Sequence, residues 1–367
     1  MKILIISGFY HPYNNGGPSN TSYWMAKALG AEGYNVKVVA LHHSKIVVAD
    51  EWINTEYGKV IYVSYNNVNF AFCYIRRAIK EVREADVIHL NSLFAPTSFF
   101  IGLISANRRK KMYWSPRGEL SSFALSYTSF RKKLQLLFLN KVKHHIIFHA
   151  TSEQEKYDIQ NTFGHKVKIT IIPNLIELQA PTERTSEPYF LFVGRIHPIK
   201  RLDNLIEALA SNAGFRASSY KLKIAGLDTP YAQVLKAKVH LYALTTKIHF
   251  VGHYTGIEKD KLYANAYYLI LPSDSENFGN VVVESLAQGT PVIASKGTPW
   301  QSLEETNAGF WVDNSIKALS NVIDVALSMQ QIAYNHQRQN ARKLVEDQFD
   351  VKVGIKQWIR NYQFQDA

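Results

Sequence analysis

Two segments of this chain place charge at the junction between a strand and a helix. Val193-Gly194-Arg195-Ile196-His197-Pro198-Ile199-Lys200 leaves an apolar run and enters a helical pattern, with Pro198 near its first position and Leu202, Leu205, Ile206 and Leu209 as the buried stripe. A diphosphate seated there would meet the positive helix end, and Arg195 and Lys200 would neutralise the charge that grows as a bond to it breaks. Two solvated cations would look the same in composition; the strand-turn-helix context favours the leaving-group role. Asp274-Ser275-Glu276-Asn277-Phe278-Gly279-Asn280 follows the apolar run Leu269 to Leu271 and precedes a helix expected over Val281 to Gln288, stopped by Gly289-Thr290-Pro291. Seven residues separate Glu276 from Glu284, which leaves one carboxylate in the loop and the other in the first helical turns, so that both can point into one cleft. An ionised carboxylate offers two acceptor oxygens to a diol, although glutamates at a helix start also serve capping and dipole chemistry. Gly279 frees the backbone there to approach a ligand.

The first half of the chain carries two further loops of this kind. Gly16 and Gly17, at the amino terminus of a helix over Asn20 to Gly30, expose backbone N–H groups suited to phosphate or sugar oxygens, though Gly-Gly-Pro alone is only a turn. Trp114-Ser115-Pro116-Arg117-Gly118-Glu119-Leu120 ends a strand in a Pro and Gly turn with Arg117 at its tip, projecting into the cleft or else braced by Glu119. The chain has no Asp-X-Asp pair to hold a metal-bound diphosphate, no Gly-X-Gly-X-X-Gly, no Walker loop and no Gly-X-Ser-X-Gly. His42-His43 and His144-His145 lack zinc partners at usable spacing. We therefore expect no metal and no cofactor.

The elements that must position these loops form two series. Lys2 to Ile6, Val36 to Leu41, Asp86 to Leu90, Met112 to Ser115, Ile146 to Ala150 and Ile169 to Ile172 read as strands separated by helical patterns. A polar stretch with two prolines, Leu178 to Pro188, precedes a second series: Tyr189 to Val193, Leu222 to Ala225, Ile248 to Val251, Tyr268 to Leu271 and Val292 to Ala294. The expected architecture is α/β, with two Rossmann-like doubly wound domains, 1–180 and 181–350, facing a central cleft, and a C-terminal helix, 351–367, packing back across it.

With 367 residues and 46% hydrophobic content, two cores are expected. The short run Ile3 to Ile6 reads as a strand rather than an export signal, no stretch reaches the roughly 20 apolar residues of a membrane span, and one cysteine, Cys73, excludes an internal disulfide framework. A cytoplasmic protein, peripheral on the inner face of the membrane, is expected. The net charge is +12, and residues 1–182 hold 22 Lys+Arg against 12 Asp+Glu. That field suits nucleic acid, anionic lipid or a diphosphate-linked substrate and does not choose among them. Ser129 to His145 sets Arg131, Lys132, Lys133, Lys141 and Lys143 around Leu134, Leu136, Leu137, Phe138 and Leu139, a pattern for anionic lipid or for a core helix with one solvated face.

Together these four loops resemble those of glycosyltransferase family 4, retaining enzymes of the GT-B fold. The resemblance is most specific in Phe192-Val193-Gly194-Arg195 with Lys200 and in Pro272 to Ala294. It implies that Gly194, Arg195 and Lys200 hold the donor diphosphate, Glu276 the donor sugar and Glu284 the ribose. The amides of Phe278, Gly279 and Asn280 would face the sugar and phosphate, and Gly16-Gly17 the transferred phosphate and acceptor. Arg117 stands where many members carry histidine, Ser152-Glu153 and Asn174 would line the cleft, and Lys296 to Trp300 is similar to a surface-polysaccharide subgroup. The implied substrates are a nucleotide-sugar donor, UDP-linked before GDP-linked, and a saccharide acceptor on a lipid diphosphate. The rival readings are a nucleotide-sugar 2-epimerase of the same fold and a non-catalytic basic protein binding nucleic acid or a ligand. The epimerase leaves the Gly-Arg, Lys and Glu-X7-Glu pairing without a use, and no basic stripe interleaved with aromatics supports nucleic acid.

Overall fold

In the computed structural model the described residues are 1–8, 10–11, 17–42, 50–64, 70–127, 129–184 and 189–363. They form two compact units, Met1–Glu177 with Val351–Ala367, and Leu178–Asp350. The first is built on β1 (Lys2–Ser7), β2 (Asn35–His42), β3 (Trp52–Thr55), β4 (Gly58–Ser64), β5 (Val87–Asn91), β6 (Lys111–Ser115), β7 (Ile147–Ala150) and β8 (Lys168–Ile171). Their order is β3-β4-β2-β1-β5-β6-β7-β8, parallel except where β3 pairs antiparallel with β4. Alternation along β1 sends Leu4 and Ile6 into one core with Ile88, Trp114 and Phe148, and Ile3 and Ile5 into the other with Tyr113 and Ile172. The helix Val351–Gln363 completes that second face with Val351, Ile355, Trp358 and Tyr362, each worth roughly 1.5–3 kcal/mol of apolar burial.

The second unit holds β9 (Tyr189–Val193), β10 (Leu222–Ala225), β11 (Ile248–Gly252), β12 (Ala266–Leu271), β13 (Val292–Ser295) and β14 (Gly309–Val312), all parallel, in the order β11-β10-β9-β12-β13-β14. β9 and β12 are buried along their whole length, as strands covered by helices on both faces must be. Each sheet grows first to one side of its opening strand and then to the other. The reversal falls between β1 and β5 in the first unit and between β9 and β12 in the second, and ligands of such sheets bind at the carboxyl ends of those strands.

The structure departs from the sequence reading in three places. The hairpin β3–β4 and the four-residue β14 were not among the expected strands. Pro198 opens a 3-10 turn, Pro198–Lys200, rather than an α-helix; Arg201 then takes a left-handed φ of 50°, and the helix starts at Leu202. Lys200 thus sits on the turn before the helix.

Candidate active site

In the second unit the loops after β9 and β12 carry the charged residues, at the point where sheet growth reverses. They are tied together by Asp274 N–H donating to Ile199 O at 2.8 Å. Lys200 forms an ion pair with Glu276, both side chains 13% exposed, and Ser273 Oγ donates to Glu276 Oε1 at 2.8 Å. Arg195 is exposed and makes no ion pair among the described residues. Lys200 has three donors, so an ammonium holding one carboxylate oxygen retains capacity for a phosphate.

Glu284, on the helix Asn280–Ala287, has different partners from Glu276. It accepts from Tyr263 Oη at 2.7 Å and pairs with Lys259 at 2.6 Å, both on the helix Gly256–Ala264. Burial raises the Tyr263 phenol well above its ordinary value and the neighbouring Glu284 charge adds to that; Asp260 is raised by the same two causes. Neither Lys259 nor Tyr263 was visible in the sequence, because no spacing rule links residues on two separate helices. Phe278 turns its ring into the core against Trp300 and Phe349, so only its backbone is available to a ligand. Gly279, at φ 79°, caps the helix Asn280–Ala287, a conformation that a side chain would strain.

The first unit treats its candidates differently. Gly16 lies outside the described residues, and Gly17 opens the helix Gly17–Ala31. Arg117 is partly buried at φ 57°, and each of its three nitrogens is engaged: Nε and Nη2 donate to Asn91 Oδ1 at 3.1 and 2.9 Å, and Nη1 to Asn174 Oδ1 at 2.6 Å. Burial lowers its guanidinium to about 10. Glu119 does not brace it; that carboxylate accepts from Ser92 Oγ and from the amides of Leu93 and Phe94, and burial still raises it. Asn174 is a partner of Arg117, Ser152 caps the helix Glu153–Phe163 through Glu155 N–H, and Glu153 pairs with Lys156.

Near Arg117 runs a chain of buried polar groups that the sequence did not announce. Tyr362 Oη bonds His89 Nδ1 at 3.0 Å, His89 Nε2 bonds Ser115 Oγ at 2.8 Å, Ser115 Oγ bonds His149 Nδ1 at 2.7 Å, and His149 Nε2 donates to Ile172 O at 2.7 Å. Every ring nitrogen has one partner, an arrangement that suits two neutral imidazoles. Burial pushes His149 down to about 3 and His89 well below its ordinary value, and the Arg117 charge lowers both further. Among the described residues no three His, Cys, Asp or Glu side chains gather into a metal-holding group.

Comparison with known proteins bears on this arrangement. Residues 15–180 match glycosyltransferase family 4 and residues 176–344 match glycosyl transferases group 1. The O-antigen chain mannosyltransferase RfbU of Salmonella typhimurium is 32% identical over 173 residues, 46% of this chain and 47% of that protein, so the similarity spans about half the relative's length. Among solved structures, sucrose-phosphate synthase from Thermosynechococcus elongatus superposes with a TM-score of 0.79 at 20% identity, covering 99% of this chain and 98% of the other. Anabaena HepE, solved in complex with UDP-glucose, gives 0.78 at 18% identity, over 98% and 99%. With these two matches running on from residue 15 to residue 344, the chain is a glycosyltransferase of the GT-B fold, with a glycosyltransferase family 4 domain followed by a glycosyl transferases group 1 domain.

Proposed function

We propose that this chain is a retaining, metal-independent glycosyltransferase that moves a hexose or N-acetylhexosamine from a nucleotide sugar to a lipid-diphosphate-linked saccharide in surface-polysaccharide synthesis. The observation that carries this is the Lys200–Glu276 pair on the two loops at the reversal of the second sheet. A donor's diphosphate would take up the Lys200 ammonium, Arg195 would add charge from the exposed side, and Glu276, released, would accept hydrogen bonds from sugar hydroxyls. As the bond from sugar C1 to the diphosphate oxygen breaks, both cations and the nearby helix dipoles stabilise the departing charge. The acceptor oxygen bonds to C1 on the same face and its proton passes to the departing diphosphate oxygen. Glu284, held by Tyr263 and Lys259, would take the ribose diol. The name of RfbU supports an O-antigen acceptor, and the UDP-glucose held by HepE supports a nucleotide-sugar donor. The comparisons lend nothing to the 2-epimerase or nucleic-acid readings. A thermal-shift screen of UDP- and GDP-sugars finds the donor, since a ligand of the native state raises the melting temperature. Transfer to a lipid-linked saccharide, followed by mass spectrometry in excess EDTA, then tests the reaction. Loss of turnover that Mg²⁺ restores would remove metal independence.

The acceptor's lipid gives a use to the helix Phe130–Val142. Its inner face is Gln135, Leu136 and Leu139, and its outer face exposes Phe130 at 83% and Leu137 at 64%, beside Leu134 and Phe138. Phe123 and Tyr127 are also exposed, on the preceding helix, Ser122–Ser126, and at its end. Lys133 and Lys141 lie exposed among them, whereas Arg131 Nη2 donates to Phe94 O at 3.4 Å and Lys143 Nζ to Phe163 O at 2.6 Å. Apolar side chains rimmed by cations fit the interface of an anionic leaflet. No described helix is long and apolar enough to cross a membrane. Co-sedimentation with vesicles containing phosphatidylglycerol should exceed that with neutral vesicles, and equal recovery with both would refute the docking.

A further inference from the structure

The loop that carries Glu276 is held from behind by a stretch of backbone that none of the assigned roles uses. Between β13 and the helix Ser302–Glu305 the chain meets residues 273–278 at three points. Ser295 Oγ donates to Ser273 O, Glu276 N–H donates to Gly297 O, and the Trp300 indole N–H donates to Phe278 O. The two segments lie so close that a Cβ on Gly297 would stand 2.3 Å from Asp274 O. Trp300 is 1% exposed, and its ring packs on Phe278 and Phe349 at centroid distances of 5.1 and 5.2 Å.

In a trans peptide the carbonyl and the following N–H point to opposite sides. Fixing Phe278 O on the Trp300 indole therefore turns Gly279 N–H away from the Trp300 core. A Cβ built on Gly279 would lie 3.8 Å from Glu276 Cγ, which puts this peptide beside the carboxylate at the centre of the candidate site. We infer that Trp300 is a positioning residue whose indole N–H aims the Gly279 amide at the sugar-diphosphate end of the donor. This rests on the donor reading above. A donor oxygen accepts from an amide already oriented, so no reorganisation is needed when charge develops there.

Trp300→Phe keeps an aromatic ring and removes the N–H; 3-benzothienylalanine at position 300 replaces the N–H by sulfur at nearly the same volume and guards against a packing defect. Trp311→Phe is the control, because its indole donates to Thr298 O at 3.0 Å on the same segment. Melting temperature, turnover and affinity are measured with UDP-glucose and UMP, or GDP-mannose and GMP if wild type prefers guanosine. Both position-300 variants should bind the nucleotide sugar about tenfold more weakly and turn over about tenfold more slowly, with nucleoside monophosphate affinity held within about twofold. Trp311→Phe should lose melting temperature while keeping both affinities within about twofold. Unchanged nucleotide-sugar binding in the benzothienyl variant, or equal weakening of sugar nucleotide and monophosphate, would overturn the inference. A wild type that binds neither pair would instead sink the donor reading, and this inference with it.

Discussion

Two polar clusters are built on parallel strands, one in the loops after β9 and β12, where the second sheet reverses, and one on β5 to β7 and the turns that follow β6 and β8 of the first; both hold ionisable side chains, yet they are finished differently. In the second unit Lys200 and Glu276 hold each other, partly exposed, with hydrogen-bonding capacity left over. In the first unit Arg117, Asn91, Asn174, His89, Ser115 and His149 form a network in which the guanidinium fork and every imidazole nitrogen already have partners. Residue type does not distinguish the two clusters; the cost of displacing the partners already in place does. A ligand can exchange for Glu276, whereas displacing Asn91 and Asn174 from Arg117 would strand buried amides. Changes in the second unit should therefore read out mainly in rate, and changes in the first mainly in stability.

The largest effect sharpens the second-unit side. Arg195→Ala and Lys200→Ala should each slow transfer by ~10²-fold or more, about 2.7 kcal/mol of leaving-group stabilisation; turnover near wild type returns both to solvated cations. Between the carboxylates, Glu276→Gln should mainly depress kcat, and Glu284→Gln should mainly weaken donor binding, because ribose contacts are common to ground and transition states. Steady-state kinetics that move kcat and KM alike in both would merge the two roles.

Arg117→Lys tests the other side. A lysine cannot reproduce a fork bonded to two asparagines, so unfolding free energy should fall by about 2 kcal/mol while the kcat of the folded enzyme changes less than about threefold. Urea denaturation alongside initial rates checks this. A variant as stable as the parent but inactive would move Arg117 into the site and break the comparison.

The smallest effect is on pH. Unfolded histidines titrate near 6.5 whereas folded His149 is held near 3 and His89 is also depressed, so the unfolded chain gathers protons first. Their stabilising contribution is complete above about pH 7 and drains as pH falls through 6.5 towards 3, with about 2 kcal/mol lost by pH 5 for His149 alone. Urea midpoints across that range should show a slope that His149→Asn reduces; an unchanged slope would mean that the imidazole titrates alike in the folded and unfolded chain.

Much of this plan was legible because it is periodic. The continuous apolar runs that became β1, β9 and β12 cannot be exposed on either face, and the restart at Tyr189 announces a second sheet. The hairpin β3–β4 was not legible because Glu56-Tyr57 replaces the Asn-Gly that marks such turns, and β14 because four residues carry no period. At the site, the charged loop residues stand out by type and spacing. Their holders Lys259 and Tyr263 do not, since folding alone brings them there; Trp300 stood out only within Lys296 to Trp300, without its bond to Phe278, and the engaged nitrogens of Arg117 depend on Asn91 and Asn174, 26 and 57 positions away.

The helix Val351–Gln363 bears on the order in which the molecule can be made. It is encoded after the whole second unit, yet Trp358 rests on His89 and His149, and Lys111 Nζ and Tyr113 Oη donate to its last carbonyls. A chain leaving the ribosome can therefore assemble the sheet of the first unit and all of the second before the last strip of the first core arrives. Until then Tyr113 lacks the rings of Trp358 and Tyr362, and His89 and His149 lack their cover. The nascent protein passes through a nearly complete state with one open apolar flank, a natural holding point for a chaperone.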